Sequence, residues 1–168
     1  MWGGRCAGIQ SSPAKPRHRQ RSTVSTSASP PPRLLPWDTV PVPAAEECCS
    51  WVVQRPGQLA AARRAAREHL ESDRVPAEAA EHVVMVLDEL ATNALRHGAP
   101  PATIELCAHP DGWLVIATDT APHRMPAPTV DRPAEHGGMG LRIVADLAVR
   151  HGTDVDARRK CVWALVPG

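Results

Sequence analysis

The sequence predicts an α+β protein, a two-layer α/β sandwich whose mixed, mostly antiparallel sheet carries its helices on one face. Two observations carry this. The order of elements is strand, two helices, two strands, a long proline-bearing loop, one helix and two strands, without the βαβ alternation of a doubly wound sheet. The hydrophobic period also changes along the chain. Val83, Val84, Leu87, Leu90, Ala91 and Ala94 fall on one helical arc, whereas Thr103 to Ala108 and Trp113 to Asp119 are short strand-like runs joined by His109-Pro110-Asp111-Gly112, a hairpin signal.

Taken in order, Met1 to about Ala45 is rich in Pro, Ser and Arg with Asp38 as its one acidic residue. Such composition buries too little apolar surface to offset ordering entropy, so residues 1–45 read as a disordered tail and 46–168 as the folded domain. Glu47 to Gln54 has the content of a first strand, closed by Pro56-Gly57. Gln58 to Ser72 is an Ala-rich helix with Arg63, Arg64 and Arg67 on a solvated face. Pro76 opens the central helix, which runs to about His97 and stops at Gly98 and the prolines beyond it. Thr120 to His136 carries Pro122, Pro126, Pro128 and Pro133 with no periodicity, and a loop this long reads as a lid or binding loop. Leu141 to Arg150 follows as an amphipathic helix, and Thr153 to Asp156 with Cys161 to Val166 closes the fold as a strand pair. Trp51, Trp113 and Trp163 supply the aromatic core, since the chain has neither Tyr nor Phe.

A formal net charge of +1 gives no argument for nucleic-acid binding by the whole chain. The five cysteines, an odd number without C-x-x-C spacing, suggest neither a disulfide framework nor a zinc ribbon and read as reduced thiols. No window approaches the roughly 18 apolar residues of a membrane span, and the N-terminus lacks the apolar stretch of a signal peptide. A cytoplasmic protein without membrane contact is expected.

Three features bear chemistry. Glu89, Asn93 and His97 are spaced i, i+4, i+8, so a carboxylate, a carboxamide and an imidazole stack along one edge of the central helix, beside its buried arc. Asp119 ends an apolar strand, where a carboxylate can accept from an exocyclic amine. Gly137, Gly138 and Gly140 run into a helix start, where unpaired N–H groups and the helix dipole suit an anion. Without the Lys-Ser/Thr of a Walker loop this is not a P-loop.

In this order and spacing, DELATNALRHG and HGGMGLRIV resemble the N box and second glycine box of the GHKL ATPases, the gyrase, Hsp90, histidine kinase and MutL group. The likeness runs from about Trp51 to Val166. It is nearest to the small anti-sigma-factor serine/threonine kinases and related ATP-binding regulators, and implies their Bergerat-type fold. The resemblance implies that ATP and Mg²⁺ bind, with Asn93 coordinating the metal and Glu89 acting as general base or orienting the attacking group. Asp119 would take the adenine amine; Gly138, Met139, Gly140 and Leu141 would line the phosphates, and His97 would stand near the lid. Implied partners are a sigma factor and a small antagonist protein, with homodimerisation and without direct nucleic-acid contact. An ATP-holding interaction module that sequesters a regulator without turnover is the alternative. Two departures from the family bear on that choice. Thr120-Ala121-Pro122 follows Asp119 in place of a glycine hinge, and Lys160-Cys161 stands where Gly-Thr would support the adenine contact, Cys161 being the poorer hydrogen-bonding partner.

Overall fold

The computed structural model describes residues 37–125 and 140–168. Its elements are β1 (Glu46–Val53), a 3₁₀ turn (Pro56–Gln58), α1 (Leu59–Ser72), α2 (Ala77–His97), β2 (Ala102–His109), β3 (Gly112–Asp119), α3 (Gly140–Leu147), β4 (Arg150–Val155) and β5 (Lys160–Val166). The strands form one sheet in the order β1-β2-β3-β5-β4, with all four strand pairings antiparallel. The predicted α+β sandwich is the fold.

Strand alternation sorts the residues onto two faces. Val115, Ala117, Val162, Ala164 and Val166 face the helices and join Val83, Val84, Val86, Leu87 and Leu90 of α2 in the main core. Those five α2 side chains are 3% exposed or less, and burial stabilises by about 1.5–3 kcal/mol for each such side chain. Leu114, Ile116, Cys161, Trp163 and Leu165 point the other way into a second cluster. α1 packs on α2 and is tied to it by Arg63 on Asp88 at 2.7 Å and by Arg67, which holds Glu81 with two hydrogen bonds of 2.9 and 3.0 Å. Two of the arginines read as a solvated face therefore also pin the helices together.

Residues 37–45, assigned to the disordered tail from composition, are ordered against the domain. Trp37 is 5% exposed and stacks on His151 with ring centroids 5.1 Å apart. Thr39 makes a parallel bridge to Thr153 of β4. Val40, Val42 and Ala45 then cover the second cluster, and the Val40 carbonyl accepts from Trp163 Nε1 at 2.9 Å. Residues 1–36 lie outside the described residues.

Other differences have plain causes. α3 ends at Leu147 and not at Arg150, because Val149 turns its N–H to the Leu165 carbonyl and β4 begins at Arg150, three residues before the expected strand. Cys48 and Cys107, read as reduced thiols, form a disulfide. They stand opposite each other in the β1–β2 register, a proximity that a separation of 59 residues conceals. Cys49 and Cys161 are free thiols. Among the described residues no helix is long and apolar enough to cross a membrane.

Candidate nucleotide site

The candidate site residues lie along the edge of α2 that borders its buried arc. Glu89 and Asn93 are half-buried one turn apart, and His97 is exposed in the last turn. Glu89 meets the start of α3. A Cβ built on Gly140 would run into Glu89 Oε2, so only glycine lets the helix start come this close to the carboxylate. Burial, and next the charge of Asp88, raise the Glu89 pKa above the ordinary carboxylate value, with Arg96 opposing. A carboxyl poised in that direction can take a proton.

The opposite end is built from strand register. Asp119, the last residue of β3, pairs with Lys160, the first of β5, and both side chains face the helices. Each is 1% exposed, and Lys160 Nζ lies 3.3 Å from Asp119 Oδ2. That contact is an ion pair outside hydrogen-bond geometry: Oδ2 accepts no hydrogen bond from the described residues. Oδ1 takes the Ala121 N–H at 2.8 Å, and Lys160 Nζ donates to the Arg124 carbonyl. The Arg124 guanidinium in turn reaches the Gly98 carbonyl at 3.3 Å. Gly98, where α2 stops, approaches so closely that a Cβ there would strike both the Asp119 carboxyl and the Ala94 carbonyl.

The structure thus sets Glu89 beside Gly140 and Asp119 beside Gly98, with Asn93 between them on α2. Leu141 is 9% exposed and its side chain belongs to the core. Gly137, Gly138 and Met139, and so most of the expected phosphate turn, lie outside the described residues. One expectation is corrected. Cys161 does not support Asp119, because alternation sends it to the opposite face of the sheet, where its Sγ lies 3.2 Å from Thr118 Oγ1 and burial pushes its thiol pKa up. The side chain beside Asp119 is Lys160. Sequence reading missed it, along with Arg124 and the second duty of Gly98. The available signal was a charge at an inward position, two residues before Val162, in the otherwise apolar run KCVWALV.

The model of the histidine kinase-like ATPase domain matches residues 52–165, more than half of the chain. The chain belongs to the histidine kinase-like ATPase family. Among curated proteins none matches it. The match takes in every side chain named above for the site, and it makes this domain an ATP-binding one.

Proposed function

We propose that the protein binds ATP with Mg²⁺ along the α2 edge and transfers the γ-phosphoryl group to a Ser or Thr of a small antagonist protein, as part of holding a sigma factor inactive. The observation that supports this best is the meeting of Glu89 with the α3 start, one turn from Asn93. In phosphoryl transfer a protein mainly positions groups and offsets charge. Glu89, whose burial makes its carboxylate a stronger base, would take the hydroxyl proton of the acceptor side chain as oxygen attacks phosphorus and ADP leaves, while the α3 N-terminus would face the phosphate oxygens.

The donors fit Mg²⁺, a hard cation that takes oxygen ligands and keeps several waters. Asn93 would supply a carboxamide oxygen and Glu89 would hold a metal-bound water. Among the described residues there is no group of three or more His, Cys, Asp and Glu able to hold a metal alone, so phosphate and water would complete the shell. The chemistry such an ion would supply there is neutralisation of phosphate charge.

The second reading, an ATP-holding module without turnover, draws on the base end. There Asp119 is 1% exposed, and the segment carrying Ala121 and Arg124 already bonds to it and to Lys160. The deciding experiment is calorimetry of ATP against the full chain, with and without Mg²⁺. Micromolar, Mg²⁺-dependent binding is expected; no binding at millimolar ATP would reject the nucleotide reading. The two functions then separate on Glu89→Gln. A kinase loses phosphoryl transfer and keeps ATP affinity, whereas a module keeps its partner regulation intact.

A further inference from the structure

The Asp119–Lys160 pair points to a residue that reads the base, and the inference rests on the proposed role of Asp119 as the adenine contact. We infer that Lys160 donates a hydrogen bond directly to N1 of the purine and thereby sets the preference for adenine over guanine.

A buried ammonium is costly unless its donors are used. Lys160 has three N–H groups at 1% exposure; one goes to the Arg124 carbonyl, and the ion pair faces Asp119 Oδ2 at 3.3 Å. Side by side on the helix-facing side of β3 and β5 there is therefore an acceptor, Oδ2, that takes no hydrogen bond from the described residues, and a donor, Nζ. Adenine offers the complementary pair, an amine donor on C6 beside the N1 acceptor. Guanine in the same pose reverses both, setting its carbonyl against the carboxylate and its N1–H against the ammonium. Sites built on buried hydrogen-bonding groups reject a mismatched analogue strongly, because those groups are left unpaired.

The Arg124 carbonyl completes the case. It is an acceptor already seated on Nζ, the same kind of group as purine N1, and it sits on the segment that covers the pair. When a base enters, N1 takes over the hydrogen bond that Arg124 gives up. Lys160 then keeps a partner in both states.

The test is calorimetry on the full chain with ATP, GTP and 1-deaza-ATP, in which a C–H replaces N1. The wild-type protein should bind ATP at least about tenfold more tightly than 1-deaza-ATP, and about a hundredfold more tightly than GTP. Lys160→Met should bind ATP and 1-deaza-ATP equally. The comparison of analogues on the wild-type chain needs no substitution, so it stands even where Lys160→Met, which leaves Asp119 buried beside an apolar group, fails to fold. Equal wild-type affinity for ATP and 1-deaza-ATP overturns the role of Lys160 and leaves the nucleotide reading in place. A tenfold gap that persists in Lys160→Met does the same. Absence of binding by any of the three nucleotides overturns both.

Discussion

The two ends of the α2 edge solve opposite problems. At the α3 end, Glu89 is half-buried and its carboxyl meets a helix start across a single glycine, with no ion pair closing it off among the described residues. At the β3–β5 end, Asp119 is 1% exposed, bonded by Ala121 and paired with Lys160. Burial raises the pKa of one carboxyl; the other is held by its own chain. The contrast teaches that burial sets what each acid can do only together with its partners.

The comparison can be broken most sharply at the residue between the ends. Asn93→Ala should reduce ATP binding below detection in calorimetry while the unfolding free energy from urea titration stays within about 0.5 kcal/mol of wild type, because a half-buried polar side chain contributes little to the core. Retained ATP affinity would mean that the edge is not the site. Next in size is Gly98→Ala at the sealed end. Its Cβ meets backbone as well as a carboxylate held on two sides, so the protein should lose about 2–3 kcal/mol in chemical unfolding.

Gly140→Ala makes the matching change at the α3 end, and there the obstacle is the flexible tip of Glu89. Stability should fall by less than about 1 kcal/mol. Phosphoryl transfer should drop on the order of tenfold or more as the carboxylate shifts, measured as turnover at saturating ATP. Equal stability losses in the two glycine variants would erase the distinction between a rigid and a yielding end.

The smallest effect is a pH dependence. A carboxyl whose pKa is raised in the folded state holds its proton to higher pH folded than unfolded. Rising pH through the interval between the ordinary and the raised value therefore costs stability. Glu89→Gln removes that cost. Its melting temperature at neutral pH should exceed that of wild type by on the order of 1 °C, and the gain should vanish below pH of about 4, where both forms are neutral. A gain independent of pH would assign the effect to packing.

What the sequence disclosed follows the same divide. Glu89 and Asn93 were legible because a helix repeats every 3.6 residues and their spacing puts them beside the apolar arc whatever the tertiary fold. Asp119 was legible as a strand end. Lys160 was not, because its meeting with Asp119 depends on β5 inserting between β3 and β4, a pairing that no local period encodes. Cys161 was misassigned for the same reason: adjacent residues on a strand face opposite ways, and the register decides which of the two meets Asp119. Gly98 was rightly read as the stop of α2, but its closeness to Asp119 is a tertiary fact. Composition alone also dissolved Trp37 into the tail, although Trp37 followed closely by Val40 and Val42 was an apolar signal at its end.

The strap formed by residues 37–45 makes the folding unit wider than the evolutionary one. The family match opens at residue 52, inside β1, yet the chain reaches that point only after bridging the outer edge at β4 and crossing the far face of the sheet. Without the strap, β4 would present unpaired backbone groups of the kind that recruit other chains, and Trp163 would lose the carbonyl its indole bonds. A fragment cut at the homology boundary would also leave Cys107 without Cys48. Such a fragment would keep every residue of the α2 edge and still be a different physical object, prone to self-association at the β4 edge that the strap bridges.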